Sequence, residues 1–216
     1  MPISHHPPDD LLADYAVGVL PEAEHLVLAV HVHGCARCKR FVGTMEQLAG
    51  AALADAPAVP QVAGEFTTVM ERIARRPQRP QAEPARLDLD PELAELPEPL
   101  QRSRMGQWRW VAPGLSQRPI LLTPAGKSRA FLLKGQPGTR LILHTHTGDE
   151  LTHVLKGSYT DQTDRYEPGD LDFSDEQVEH EIVINDDGPC LCLVAMTGDL
   201  KLRGLLGRLI SPFIRL

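Results

Sequence analysis

Between Pro77 and Pro99 the chain carries six prolines, Pro77, Pro80, Pro84, Pro91, Pro97 and Pro99, with many acidic residues between them. Proline fixes φ, lacks an N–H and disfavours the α region for the residue before it. Neither a regular helix nor a central strand runs through such a stretch. It reads as an extended, solvated connector. Two modest domains on either side suit a length of 216 residues. The expected organisation is a helical domain over 1–76, a Pro-rich linker over 77–104 and a β domain over 105–216.

Ahead of the connector the apolar pattern has a helical period. Leu11, Leu12, Tyr15 and Val19 follow Asp9 and Asp10, which suit a helix start. Pro21 and Glu22 open a second helix, reaching about His31 or His33, with Gly34 as terminator. The third runs from Cys35 to Asp55 on the face Cys38, Phe41, Val42, Met45, Leu48, Ala49, Ala52 and Leu53. A fourth carries the stripe Phe66, Val69, Met70 and Ile73 and ends near Arg76. Three short helices bury little surface, so that stripe is either the last side of a four-helix core or apolar area kept for a partner.

Beyond Met105 the pattern changes to short runs rich in Val, Ile, Leu, Phe and Trp, broken by Pro and Gly about every ten residues. Many short strands at that spacing indicate an all-β sandwich or barrel. Ile120–Leu122, Arg129–Leu133, Arg140–His144, Leu151–Lys156, Glu181–Ile184 and Cys190–Ala195 are the clearest runs. Trp108 and Trp110 alternate on a first strand, so one of them faces the barrel. Leu202, Leu205, Leu206, Leu209, Ile210, Phe213 and Ile214 form a helical stripe edged by Lys201, Arg203, Arg208 and Arg215, expected to pack as a C-terminal helix.

His31, Cys35 and Cys38 are spaced H-x3-C-x2-C, from the end of the second helix to the first turn of the third. Thiolate and imidazole suit zinc, which takes four ligands in a closed tetrahedral site. His5 or His6, just before the first helix, can supply the fourth, and His6 is the residue chosen. The helix N-terminus is expected to lower the pKa of both thiols. His25 and His33 have no motif partner and are read as surface or core histidines.

In the β region Gly138, His144, His146, Glu150 and Gly157 fall in the order G-x5-H-x-H-x3-E-x6-G. His144 and His146, two apart on a strand, point to one face, and Gly148 and Asp149 permit a turn before Glu150. His180, from a later strand, completes three imidazoles and a carboxylate, a set that takes zinc, iron, manganese, nickel or copper. His153 lies on the opposite face from Glu150 and is read as peripheral. Cys190 and Cys192 share one face of an apolar strand and are read as buried core thiols.

The first constellation, His6 with His31, Cys35 and Cys38, resembles the zinc-binding anti-sigma family over roughly residues 1–76. That resemblance implies binding to an extracytoplasmic-function type sigma factor, which the protein would keep from RNA polymerase. The second constellation resembles the first motif of the cupin superfamily and implies a double-stranded β-helix barrel. The second cupin motif departs from the pattern: Pro168, Gly169 and Asp170 are present, but His180 comes late and Asn185 one residue too far. Zinc is preferred in the barrel on this resemblance. The two in series resemble the ChrR-type branch of anti-sigma factors, in which the cupin is the sensory half for oxidative signals that include singlet oxygen. The resulting fold class is multi-domain α + β, a small zinc-binding helical bundle followed by a cupin barrel.

A net charge of −7 argues against direct binding to nucleic acid or an anionic membrane, so regulation of transcription would act through another protein. No signal peptide and no run of about 20 apolar residues is present, so a cytoplasmic location is expected, with cysteines reduced. A metal-dependent cupin dioxygenase with a small zinc assembly module is the competing reading, and a non-enzymatic regulator is preferred.

Overall fold

The computed structural model describes residues 2–60, 64–75, 95–123 and 128–202. Four helices come first: α1 (Asp9–Val17), α2 (Glu22–Gly34), α3 (Ala36–Asp55) and α4 (Glu65–Arg75). Most of the Pro-rich stretch lies outside the described residues, as does the C-terminal stripe beyond Leu202. Leu202 itself ends a strand. Residues 95–104 are packed: Leu96 and Leu100, the latter on the one-turn helix α5 (Glu98–Gln101), are buried in the main core.

Eleven strands follow: β1 (Arg109–Ala112), β2 (Leu115–Ile120), β3 (Arg129–Gly135), β4 (Arg140–His146), β5 (Glu150–Lys156), β6 (Tyr159–Thr160), β7 (Arg165–Tyr166), β8 (Leu171–Ser174), β9 (His180–Ile184), β10 (Cys190–Met196) and β11 (Leu200–Leu202). They form a six-stranded sheet, β1-β2-β3-β10-β5-β8, and a five-stranded one, β11-β4-β9-β6-β7, with antiparallel neighbours throughout. Among the described residues the two sheets are not joined into one closed hydrogen-bonded barrel. The run Ile120–Leu122 belongs to the end of β2, which begins five residues earlier and passes through Pro119. Pro119 and Trp110 stand toward the free edge of the larger sheet, where a missing N–H costs least. Trp110 is exposed, while Trp108 packs on the core just before β1.

Every residue of β10 is buried, because the larger sheet is covered on both faces. Inward-facing Phe131, Val154, Cys192, Val194 and Met196 join Tyr159, Tyr166, Ile182 and Ile184 of the smaller sheet. Outward-facing Leu132, Leu151, Leu171, Leu193 and Ala195 receive Ala23, Val27, Leu28 and Val30 of α2. The helical and β parts thus share a core. At about 1.5–3 kcal/mol for each large apolar side chain withdrawn from water, α2 is a substantial fastening. The remaining helical core is small: Leu12, Val32, Cys35, Cys38 and Val42, with Ile3, Tyr15, Ala16 and Phe41 at its edge. The stripe on α3 is covered only over its first turns, and Leu48 and Leu53 are exposed.

Candidate metal centres

α1 stops where Gly18 takes a left-handed φ of 72°, donating its N–H to Asp14 and Tyr15 carbonyls. α2 and α3 are separated by a single extended residue, Cys35, with φ −104° and ψ 107°. That sharp break leaves His31 in the last turn of α2, Cys35 at the junction and Cys38 in the first turn of α3. His6 arrives from the extended segment before α1. One ligand atom from each of the four lies within 4.8 Å of the others. The nearest approaches are His31 Nε2 to Cys38 Sγ at 3.3 Å, Cys35 Sγ to His6 Nδ1 at 3.4 Å and Cys38 Sγ to His6 Nδ1 at 3.5 Å. Zinc with sulfur at about 2.3 Å and nitrogen at about 2.0 Å gives mixed tetrahedral edges of about 3.5 Å, so these atoms already have the spacing of a zinc polyhedron. Nδ1 of His31 donates to the Gly169 carbonyl at 3.1 Å, which leaves the Nε2 lone pair facing the thiols.

His5, the alternative to His6, turns away: its Nδ1 is 3.2 Å from Asp170 Oδ2 and its Nε2 is 3.0 Å from Asp164 Oδ2. The two carboxylates raise its pKa against the opposing effect of burial. Burial, reinforced by His6, pushes His31 down to about 4, so it is neutral and ready to ligate at pH 7. The thiol expectation is overturned for Cys38. It is 1% exposed, and burial, followed by contact with Cys35, pushes it up to about 12. Desolvation of the thiolate outweighs the helix dipole. The proton leaves when a cation replaces it.

The second centre is assembled across the sandwich. β4 and β5 belong to different sheets, so the turn over residues 147–149 crosses between them and sets Glu150 facing His144 and His146. His180 is the direct cross-strand partner of His144 on β9. The register slips between Leu141 and His144, leaving Ile142 and Leu143 exposed while His144 and His146 turn inward. The ligand atoms of His144, His146 and His180 lie within 4.8 Å of one another, and all three rings are buried. Glu150 meets the group at His146, Oε2 to Nε2 3.1 Å. That approach lacks hydrogen-bond alignment, as befits two lone pairs aimed at a shared ion.

Nδ1 of His144 donates to the Ile142 carbonyl at 2.9 Å, directing Nε2 inward. Both ring nitrogens of His146 and of His180 are buried with no hydrogen-bond partner among the described residues. Leaving polar atoms so is costly, and a bound cation would relieve it. Burial lowers His144, and burial together with His144 takes His180 down to about 4, so both are neutral ligands at pH 7. Glu150 is lowered: burial opposes this but is outweighed by His146, then His144 and His180.

Asp161 and Asp172 also approach His180. Asp172 accepts from the hydroxyls of Tyr159 and Tyr166, both at 3.3 Å, and burial, aided by Glu150, raises it to about 6. Cys190 and Cys192 are free thiols inside the sandwich, Sγ to Sγ 3.6 Å. Contact with Cys190 and burial hold the Cys192 thiol well above its ordinary range. His153 joins neither centre, but it is buried, its ring centroid 5.5 Å from that of His31. His25 stacks obliquely on Tyr15 at 4.8 Å. The sequence reading took Gly169 and Asp170 only as a turn. Their contacts with His31 and with Ser4 and His5 come from 138 and 165–166 residues away, a separation that leaves no local pattern.

Residues 100–198 match the family of ChrR cupin-like domains. Over its whole length the chain is 36% identical to anti-sigma-E factor ChrR of Cereibacter sphaeroides, the alignment spanning all of both sequences. The crystal structure of Rhodobacter sphaeroides SigE in complex with the anti-sigma ChrR aligns with a TM-score of 0.73 at 31% identity. That alignment covers 90% of this chain and 99% of that one.

Proposed function

We propose, from the premise that the chain belongs to the ChrR family of anti-sigma factors, that it binds an extracytoplasmic-function type sigma factor and keeps it from RNA polymerase. The observation that carries this reading is the bare apolar stripe of α4. Phe66 is 77% and Ile73 60% exposed, with Val69 and Met70 about half exposed between them. Leu48 and Leu53 on the far half of α3 add to it. An amphipathic helix with its apolar side in water suits a partner of matching apolar surface.

In this reading zinc sits at His6, His31, Cys35 and Cys38 and ties α1 to α2 and α3. A second metal, zinc by preference, sits at His144, His146, Glu150 and His180. Each would act by holding its ligands in fixed geometry, with the thiolates of the first giving it greater affinity for soft cations. The division of labour follows the domains 1–76, 77–104 and 105–216, the cupin half perceiving an oxidative signal, singlet oxygen among the candidates, and ending inhibition. No helix among the described residues is long and apolar enough to cross a membrane, and a cytoplasmic location suits a partner of RNA polymerase. A dioxygenase is disfavoured, because the cavity beside His144 and Glu150 measures about 30 Å³. Small-molecule sites need several hundred.

The test is co-expression of the intact chain with candidate sigma factors, with metals quantified in the purified complex. A one-to-one complex is expected. A Phe66→Ala, Val69→Ala, Ile73→Ala triple variant should bind at least about tenfold more weakly with unchanged metal content. Two bound metals with no sigma factor captured would end the regulator reading.

A further inference from the structure

One carboxylate joins the two halves of the molecule at the edge of the N-terminal centre. Asp170 opens the β8 segment and is 2% exposed. Its Oδ1 accepts the backbone N–H groups of Ser4 at 2.8 Å and His5 at 3.0 Å, and its Oδ2 accepts that of Glu167 at 3.0 Å. The Ser4 hydroxyl lies 3.3 Å from both oxygens, and the N–H of Leu171 donates to the His5 carbonyl at 3.2 Å. Residues 4 and 5 are therefore strapped to the β part immediately before His6.

The preceding residue holds the second histidine. The Gly169 carbonyl accepts Nδ1–H of His31 at 3.1 Å. Gly169 has a φ of +99°, and a Cβ there would stand 2.7 Å from Cγ1 of Ile3, so the close approach of the strap needs glycine. The turn is itself fixed to β5: Gly169 N donates to Val154 O at 2.9 Å and Val154 N to Asp170 O at 3.0 Å. β5 begins at Glu150, and β8 pairs along it from His153–Leu171 to Glu150–Ser174.

We propose that the Gly169–Asp170 turn of the cupin half is the outer support of the N-terminal metal centre, positioning its ligands His6 and His31. The proposal rests on the reading of that centre as a metal site. His6 lies on an extended segment with no helix of its own, so without the Asp170 strap the ordering of residues 2–6 falls to the metal. His31 needs its Nδ1 proton held on the carbonyl side to keep the Nε2 lone pair inward. Both supports come from one pair of residues, on a strand pair that also carries a ligand of the second centre.

The test uses the full chain loaded with cobalt, whose thiolate charge-transfer band reports Cys35 and Cys38 and not nitrogen or oxygen ligands. The rate at which excess chelator extinguishes that band is measured. Asp170→Ala should release the metal at least about tenfold faster than the parent, and Asp170→Asn, which keeps an acceptor for Ser4 and His5, within about threefold of it. Ser4→Pro removes the 2.8 Å bond from the strap side. It should speed release by about fivefold or more while the thermal melt of the β part stays unchanged. Should Asp170→Ala fail to fold, Ser4→Pro decides. Parent-like release in the strap variants overturns the positioning role and leaves the metal centre standing. A parent chain without the band overturns the centre, and the proposal with it.

Discussion

The two centres are built from opposite resources. The N-terminal one takes its ligands from an extended segment, a helix end and a helix start, and two of the five buried residues of its small core, Cys35 and Cys38, are themselves ligands. The cupin one sits between two sheets whose interior holds Phe131, Val154, Tyr159, Ile182, Val194 and Met196. Where apolar burial is scarce a metal holds the structure together, and where it is ample a metal occupies a structure that already exists. Protonation differs in the same way. Cys38 must lose a proton to bind, whereas His144 and His180 are already neutral.

The largest expected effect is on folding. Cys38→Ser should cost the helical part several kcal/mol and melt α1 and α3 cooperatively, read by circular dichroism and amide exchange. His146→Ala should cost the β part no more than about 2 kcal/mol. Equal losses would erase the distinction between the centres. Next comes pH. Between pH 6 and 8 the logarithm of the N-terminal zinc affinity should rise by at least about one for each pH unit, through loss of the Cys38 proton. His144 and His180 add no comparable slope at the cupin centre, and competition titrations at several pH values compare the two.

A third prediction sharpens the account of the sandwich interior. Asp172 has a folded pKa of about 6, above the model value of 3.8. Its contribution to stability is fully present below pH 4 and lost as pH rises through 6. In metal-free protein Asp172→Asn should therefore stabilise the β part by about 2 kcal/mol at pH 8 and little at pH 4, measured by urea melts. The smallest effect crosses between the centres. Glu150→Gln, at the head of β5, should speed N-terminal metal release by about twofold, and no change would make the centres independent.

Much of this was legible in the sequence because the signals are local. The H-x3-C-x2-C spacing needs only one helix break, and Cys35 supplies it as a single extended residue. His144 and His146 share a face by strand alternation. The short strands β6, β7 and β11, of two or three residues, carry too little pattern to be read, and β2 was obscured by Pro119. The pKa of Cys38 was misjudged because a helix start is visible in a sequence and the degree of burial is not.

The sequence by itself determined which side chains could ligate, since residue type and periodicity fix chemistry and facing. Only the tertiary structure decided what stands behind the ligands. That β4 and β5 lie in different sheets, that α2 closes the outer face of the larger sheet, and that Asp170 clasps Ser4 and His5 are consequences of packing between segments far apart in the chain. Such contacts form because each buried polar group must find a partner and each apolar face a cover, and those demands are met by whichever surface the fold brings near.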